Sequence, residues 1–263
     1  MEQSFQHDCS VPNQGHSSKR YLLTVSYKGT NYAGWQRQNN ANTVQEEIEK
    51  ALSELYKQPV TALGASRTDA GVHAFGQACS FSVLNDFVPT DKLPQALNAK
   101  LPSDISIFSA KEVHDDFHPI FDAKNKTYIY RIYANPLRNP LLGDTSWHVY
   151  QKIDLENMKK AASHFIGEHD FSAFCATNGS AKTSVRTINS AQVYTGQDGC
   201  ICFQVNGNGF LYNMVRIMSG TLVYVGQGKI HPEDIVTIIA SKDRSKAGIT
   251  APPEGLCLMK VFY

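Results

Sequence analysis

Apolar and polar residues alternate through the segment YLLTVSYKG, which begins at Tyr21. This alternation predicts a β-strand, because successive side chains of a strand point to opposite faces of a sheet. One face of the predicted strand carries Tyr21, Leu23, Val25 and Tyr27. We therefore expect the folded part of the chain to begin near Tyr21.

The segment TVQEEIEKALSELYKQ has its apolar residues at helical spacing instead. It opens with Thr43 and Glu46 in the spacing of a capping box, which marks the start of a helix. The apolar stripe of this helix is Val44, Ile48, Ala51, Leu52 and Leu55. A strand near 74–84, a short helix near 90–100 and a strand around Ile105 and Ile107 complete a first set of elements.

A second set of elements begins near Asn125. The segment KTYIYRIYA predicts a strand with Tyr128, Tyr130 and Ile132 on one face. Asp154 is predicted to cap a helix that Gly167 ends. The remaining predicted elements are strands near 184–194 and 200–206, helices near 211–225 and 232–241, and a final strand LCLMKVFY.

The recurrence of strands and helices in two comparable sets predicts an α+β fold with two similar halves. We place the halves at residues 20–122 and 123–263 and detect no residue-level repeat between them. The expected architecture has antiparallel sheets joined into one central sheet, helices packed on one face, and an active-site cleft between the halves. Residues 1–19 are polar, rich in turn residues and without periodicity, so we predict a disordered N-terminal tail.

Composition and charge exclude several classes of protein. The chain has 263 residues, enough to bury a substantial core, and it has no apolar run long enough for a transmembrane helix. The N-terminus has no apolar segment of the signal-peptide type. The formal net charge is only +1, which argues against a protein that coats nucleic acid by bulk charge. A local basic groove remains possible, since phosphate binding depends on where the lysines and arginines lie.

The six cysteines do not form a metal-binding or redox motif. They stand at positions 9, 79, 175, 200, 202 and 257, and no C-x-x-C pair occurs among them. Neither a zinc site nor a thioredoxin-type motif is therefore supported, and we expect no metal and no cofactor. Free thiols behave as small buried hydrophobes, and their presence is consistent with a reducing cytoplasmic location.

The segment ASRTDAGVHAFGQ, residues 65–77, has two interpretations. Asp and Gly are ordinary turn residues, so the segment is compatible with a plain surface turn. Alternatively, it presents the Asp69 carboxylate to a substrate beside a counter-charge. Three other stretches, NYAGWQRQ, NKTYIYRI and NGNGFLYNMVR, each also have a purely structural interpretation as a loop, a packed strand and a hairpin followed by a helix.

Taken together, these stretches with HDFSAF and APPEGLCL resemble the tRNA pseudouridine synthase A family. The resemblance extends from about Tyr21 to Tyr263, and the RTDAGVHA block is highly specific to the family. It implies an isomerase that converts uridine to pseudouridine in the anticodon stem-loop of tRNA, at positions 38 to 40, without an organic cofactor. The N-terminal tail lies outside the resemblance.

The resemblance also implies roles for individual residues. Asp69 matches the catalytic aspartate, and Arg216 matches the basic residue that pairs with it. Tyr128 matches the tyrosine that packs on the target base and is proposed to help move its proton. Arg67 matches the arginine that occupies the space of the displaced nucleotide. Leu256 matches an apolar residue that lines the uracil pocket.

Basic residues near the predicted loops and strand ends are candidate RNA contacts. They are Arg37, Lys124, Lys126, Arg138, Lys182 and Arg186. Most exposed lysines and arginines are simply solvated, so we expect about half of these to touch RNA. The resemblance further implies a homodimer, which would combine two such surfaces into one groove for tRNA.

Two other functions share part of the pattern. A non-catalytic RNA-binding protein would explain exposed aromatic residues on a sheet, but not a carboxylate placed beside RNA phosphates. A nucleoside hydrolase would use Asp69 and Arg216 but would release free uracil. The products formed from tRNA with radiolabelled uridine separate the three, since they are unchanged uridine, free uracil or retained pseudouridine.

Overall fold

One ten-stranded sheet runs through the computed structural model, which describes residues 18–84, 86–177 and 181–263. Its strands are β1 (Lys19–Tyr27), β2 (Ala62–Gly64), β3 (His73–Val83), β4 (Ile105–Val113), β5 (Asn125–Ala134), β6 (Trp147–Val149), β7 (Gly167–Asp170), β8 (Val185–Thr195), β9 (Ile201–Gly207) and β10 (Leu256–Phe262). The order across the sheet is β4-β1-β3-β10-β5-β9-β8-β7, with β2 beside β3 and β6 beside β5. The predicted single sheet is confirmed.

Five α-helices pack against one face of this sheet, as predicted. They are α1 (Val44–Tyr56), α2 (Leu93–Asn98), α3 (Leu155–Ser163), α4 (Met214–Gly226) and α5 (Asp234–Ser241). Apolar side chains from the sheet and from these helices form the core. Helix α4 is buried almost all round, because α3 and β5 both pack against it.

The patterns read from the sequence account for the best-defined elements. Tyr21, Leu23, Val25 and Tyr27 are all buried on one face of β1. The Thr43 side chain accepts a hydrogen bond from the backbone N–H of Glu46 and so caps α1. The Asp154 side chain caps α3 in the same way.

Strand β1 begins at Lys19, earlier than the expected start near Tyr21. Lys19 pairs with Val83, and the Arg20 guanidinium donates hydrogen bonds to the carbonyl oxygens of Asp115 and Phe117 at 2.7 Å. These long-range contacts hold polar residues in the strand. The expectation of a disordered tail over 1–19 otherwise falls on residues 1–17, which lie outside the described part of the chain.

Two element boundaries differ from the prediction for reasons of backbone conformation. Helix α4, expected from Leu211, begins at Met214 because Asn213 adopts a left-handed conformation with φ of 59°. Helix α3, expected to run to Gly167, ends at Ser163. Gly167, with φ of 116°, instead opens the edge strand β7.

The junction between the halves differs from the purely antiparallel sheet that we expected. Strand β10 comes from the second half, yet it pairs in parallel with β3 of the first half and antiparallel with β5. Cys257 and Leu258 face His73 and Ala74 across the parallel pair. The two halves therefore share β10, which brings the segment after β2 close to β5 and α4.

Candidate active site

A cleft of about 870 Å³ opens where the two halves meet. Its walls come from the segment before β3, the segment before β5, the first residues of β5 and β8, the start of β10 and the turn that leads into α4. The lining residues are Ala65, Ser66, Arg67, Thr68, Asp69, Val72, Ile120, Phe121, Lys126, Tyr128, Ala181, Arg186, Phe210, Leu211, Tyr212, Asn213, Met214, Val215 and Leu256. Asp69, Arg67, Tyr128 and Leu256, four of the residues singled out in the sequence, thus share one cavity.

The segment that carries Asp69 is held by backbone hydrogen bonds on both sides. The carbonyl oxygen of Thr68 accepts a bond from the N–H of Trp35 at 3.1 Å, and the N–H of Gly71 donates to the carbonyl of Tyr32 at 3.2 Å. Gly34 makes this close approach possible. It has φ of 98°, and a Cβ there would lie 2.4 Å from the Thr68 carbonyl oxygen. A side chain at position 34 would therefore displace the Asp69 segment.

Two buried polar side chains anchor the same segment from below. The hydroxyl oxygens of Tyr27 and Thr68 are 2.7 Å apart and buried. The Gln77 amide donates a hydrogen bond to the carbonyl oxygen of Ser66 at 2.7 Å. The segment is therefore a fixed part of the cleft floor, and the interpretation as a plain surface turn does not account for these contacts.

His73, which closes the same motif, is a structural link. Its Nδ1 accepts a hydrogen bond from the N–H of Gly29 at 2.9 Å, and its Nε2 lies 3.1 Å from the carbonyl oxygen of Glu254. Burial lowers the pKa of His73 below its ordinary value, so the neutral ring that makes both contacts is favoured. The imidazole ties β3 to the turn before β10.

The Arg216 side chain extends from the first turn of α4 and pairs with Asp69, which lines the cleft. Its Nη1 lies 3.2 Å from Asp69 Oδ2 and 2.8 Å from Asn213 Oδ1. Its Nε donates to the carbonyl oxygen of Ala251 at 2.8 Å. The Arg216 side chain is 15% exposed and that of Asp69 is 28% exposed. Three acceptors fix the guanidinium, which in turn orients a carboxylate that remains open to the cleft.

The phenol of Tyr128 lies against the wall of the cleft and is largely enclosed. Its ring is 6% exposed, and the ring of Phe210 packs edge-on against it with centroids 5.1 Å apart. Its hydroxyl is 2.7 Å from the hydroxyl of Ser66. Burial raises the pKa of Tyr128 to about 12, so the phenol keeps its proton near neutral pH. Leu256, also 6% exposed, adds an apolar surface to the same cavity.

Arg67 is exposed and lines the cleft. Within residues 18–84, 86–177 and 181–263, its guanidinium has no ion pair and no hydrogen bond. Arg67 therefore contrasts with Arg216, since one guanidinium is fixed by protein acceptors and the other is open to a ligand.

The other candidate RNA contacts fall into two groups. Lys126 and Arg186 line the cleft, whereas Arg37, Lys124, Arg138 and Lys182 do not. Lys126 Nζ donates to the carbonyl oxygen of Ala65 at 2.7 Å, and burial lowers the pKa of Lys126 to about 8. Arg186 donates to the carbonyl oxygens of its own strand end. The Nη1 of Arg37 lies 3.0 Å from the carboxylate of Glu49, so this guanidinium is already paired.

Several residues of the site had no individual signal in the sequence. Ser66 binds the Tyr128 hydroxyl, Asn213 binds Arg216, and Phe210 packs on Tyr128. Ser66 and Asn213 stand within the motifs already singled out, but a short polar residue in a turn is usually structural. The partner of Ser66 is 62 positions away along the chain, and that of Asn213 is three positions away on the first turn of α4, so the fold and the backbone turn at Asn213 reveal these contacts.

The site presents a carboxylate that can act directly on a ligand in the cleft. A fixed, partly exposed carboxylate can serve as a nucleophile or as a base toward a group in the cleft. Among the residues that the structure describes, no group of three or more His, Cys, Asp or Glu side chains is arranged to hold a metal ion. In the same residues, no helix combines the length and the apolar character needed to cross a lipid bilayer.

Comparison with known proteins relates most of the chain to one family. A model of the family described as tRNA pseudouridine synthase matches residues 23–122 and 161–263. The tRNA pseudouridine synthase A of Ruminiclostridium cellulolyticum is 49% identical over 245 residues, which cover 93% of this chain and 100% of that protein. The protein of the same name from Acetivibrio thermocellus is 50% identical over 241 residues, covering 92% of this chain and 98% of that protein. That of Geotalea uraniireducens is 48% identical over 246 residues, covering 93% and 100%.

Proposed function

This chain belongs to the tRNA pseudouridine synthase family, and we propose that it isomerises uridine to pseudouridine in the anticodon stem-loop of tRNA with Asp69 as its catalytic residue. The observation that carries the assignment of the site is the ion pair of Arg216 with Asp69, whose carboxylate lines the cleft together with Tyr128 and Leu256. The family match spans the segments that contain Asp69, Arg216 and Leu256, and Tyr128 lies between the two matched ranges.

The reaction needs a group that acts on the ribose while the base is held nearby. The bond between N1 and C1′ breaks, the uracil turns, C5 bonds to C1′, and the C5 proton leaves while N1 gains a proton. The product has the same atoms as the substrate, so no co-reactant is required. Asp69 is proposed either to attack the sugar carbon or to remove a sugar proton, and its fixed orientation serves both routes.

The detached uracil must stay in the cleft while it turns. Tyr128 and Leu256 supply apolar surface at the position where we propose that the base is held. Since the phenol of Tyr128 carries its proton near neutral pH, it is proposed to relay the C5 proton rather than to remove it as a phenolate. Ser66, 2.7 Å from the phenol oxygen, is placed to accept or return that proton.

Uridine within a stem or a stacked loop cannot reach Asp69, so the nucleotide must turn out of the RNA. Arg67 stands beside the carboxylate in sequence and is exposed in the cleft. We propose that its guanidinium fills the vacated space and contacts phosphate. Lys126 and Arg186 are proposed to bind neighbouring phosphates. Arg37, whose guanidinium is already paired, and Lys124, which does not line the cleft, are weaker candidates.

Four finer statements complete the proposal. We propose that the modified uridines are at tRNA positions 38 to 40, that the enzyme acts in the cytoplasm as a homodimer, and that the halves are residues 20–122 and 123–263. A dimer would align two basic clefts along one tRNA. Sedimentation of the purified protein tests the dimer, since a single monomer boundary at micromolar concentration would rule it out.

The test of the function uses an unmodified tRNA transcript with tritium at C5 of uridine. Pseudouridine formation releases the C5 label to water while the base stays in the RNA. Wild-type protein is expected to release it from positions 38 to 40, and Asp69→Asn is expected to release none. Recovery of free uracil would favour a nucleoside hydrolase, and tight binding of tRNA without any release would favour a non-catalytic RNA-binding protein.

A further inference from the structure

The segment between β4 and β5 exposes an aromatic ring at the mouth of the cleft. Phe121 is 80% exposed and Ile120 is 39% exposed, although both line the cavity that contains Asp69. Exposure of a phenylalanine to this degree leaves most of its apolar surface in water. Single exposed apolar side chains are ordinary on protein surfaces, but this ring lies at the mouth of a cleft lined by basic residues, where a ligand can cover it.

The backbone that carries this ring is fixed by hydrogen bonds within the turn and by one bond from the C-terminal residue. The N–H groups of Ile120 and Phe121 both donate to His118 Nδ1, at 3.2 and 3.3 Å. The carboxylate of Asp122 accepts from the N–H of His118 at 2.8 Å, and the Tyr263 hydroxyl donates to the carbonyl of Pro119 at 3.0 Å. The ring is therefore presented on a rigid turn, which limits the entropy lost when a partner binds it.

The imidazole of His118 stacks on one face of the Phe121 ring. The two centroids are 4.1 Å apart and the planes are inclined by 27°. With the ring 80% exposed, its opposite face is open. A third flat ring can extend this stack, and nucleobases are the flat rings that proteins most often bind in this way.

The charges of the cleft favour the same kind of partner. Arg67, Lys126 and Arg186 line the cavity with Phe121, so the surroundings of the open ring attract a polyanion. Tyr128, which is 6% exposed and has Phe210 packed against its ring, is assigned to the target uracil in the proposed function and leaves no free face for a second base. The cleft thus has an enclosed aromatic ring on its wall and an open one at its mouth.

Building on the proposed function, we propose that Phe121, backed by His118, is a stacking platform for the tRNA nucleobase that neighbours the flipped uridine. Phe121 is a positioning residue in this scheme, since it holds the RNA and does not touch the reacting atoms. Arg67 fills the space inside the RNA and Phe121 supports the adjacent base from outside. Together they hold the RNA open while uracil turns.

The binding test compares three variants with the wild type on one anticodon stem-loop transcript. Phe121→Ala removes the platform, and Phe121→Trp keeps a larger one. Phe87→Ala is the matched control, because Phe87 is 61% exposed, contacts one ring, that of Tyr56, and does not line the cleft. Stacking contributes about 1–3 kcal/mol per base, so Phe121→Ala should weaken RNA binding by roughly 5- to 150-fold. Phe121→Trp and Phe87→Ala should stay close to wild type.

A second measurement identifies the base and needs no catalysis. The transcripts carry 2-aminopurine in turn on each side of the target uridine, and a base that stacks on the ring changes its fluorescence when protein binds. One position should respond to wild type and to Phe121→Trp but not to Phe121→Ala. Equal responses from all variants, or affinity of Phe121→Ala within about twofold of Phe87→Ala, would overturn the inference.

The same variants separate this inference from two other outcomes. If Phe121 instead covers a second copy of the chain, Phe121→Ala will change the sedimentation of the free protein, and the inference is wrong. If wild-type protein makes no pseudouridine but the fluorescence pattern holds, the proposed function fails and the platform stands. If wild-type protein makes pseudouridine but Phe121→Ala binds RNA as tightly as wild type, the platform inference is wrong and the proposed function stands.

Discussion

The Asp69 carboxylate lies 3.2 Å from the Arg216 guanidinium, although 147 positions separate the two residues along the chain. One belongs to the segment before β3 and the other to the first turn of α4, so the contact joins the two halves. An ion pair of this length satisfies the expectation of direct contact at about 4 Å or less. The carboxylate and its counter-charge thus exist as a site only in the folded chain.

Asp69→Asn should abolish pseudouridine formation and leave tRNA binding unchanged or tighter. The amide keeps the size of the side chain but has neither its negative charge nor its basicity, and a negative charge beside phosphate weakens binding. Single-turnover assays and tRNA affinity measure the two effects. The matched control is Asp198→Asn, which removes the partner of Arg131 outside the cleft and should leave turnover intact. Wild-type turnover by Asp69→Asn would show that the carboxylate is only a turn residue.

Tyr128→Phe should slow turnover much more than it weakens RNA binding. The ring and its contact with Phe210 remain, but the proton that we propose it relays is gone. The fold should lose about 1 kcal/mol of stability with the hydrogen bond to Ser66. Ser66→Ala is the companion variant, since it removes the same bond and keeps the phenol. If both variants retain wild-type turnover, the proton-relay role of Tyr128 is wrong.

Gly34→Ala should reduce activity by moving the Asp69 segment. The new Cβ would lie 2.4 Å from the Thr68 carbonyl oxygen, and φ of 98° is unfavourable for alanine. The cost in stability should exceed about 1 kcal/mol. Gly199→Ala is the control, because Gly199 also has a positive φ, 78°, but a Cβ there would have no atom within 4 Å. It therefore measures the cost of the backbone conformation without a steric clash. Thermal unfolding and turnover of both variants check this, and equal losses would mean that the close approach to Thr68 is unimportant.

Lys126 should make the free energy of unfolding rise with pH above about 8. Burial holds its folded-state pKa near 8, against 10.5 in the unfolded chain. Between these values the unfolded state binds the extra proton, so stability increases with pH. Lys126→Met should lack this rise in the free energy of unfolding. Denaturant unfolding of both proteins from pH 7 to 10.5 will measure it, as a difference in stability that grows with pH. Binding of tRNA by wild type should also fall over the same range as the ammonium charge is lost. A constant difference in stability would contradict the perturbed lysine.

The elements that the sequence predicted are those with long periodic patterns or a capping residue. The alternation in β1 and the Thr43 cap of α1 are of this kind. The strands β2, β6 and β7 have only three or four residues, too few for any period to show. The parallel pairing of β10 with β3 is likewise invisible locally, because register between distant strands depends on the whole sheet.

For the site, the residues alone left a turn and a catalytic carboxylate as alternatives for Asp69. The resemblance to a family chose between them and supplied Arg216, Tyr128 and Leu256. It could not show that Ser66 and Asn213 support them, since each is a short polar residue within a turn and carries no pattern of its own. Phe121 was missed for a different reason. A phenylalanine in a sequence predicts burial, and only the fold shows it exposed at the mouth of the cleft.

Strand β10 has a consequence for how the enzyme matures during synthesis. It is the last of the ten strands to leave the ribosome, and it fills the gap between β3 and β5. A nascent chain that has not yet released residues 256–262 holds both parts of the site without the strand that aligns them. Domains fold progressively as they emerge, at about 5–20 residues per second, so each half has seconds to form its own local structure first. We therefore expect the cleft to form as a late event of translation, after residues 256–262 have been released.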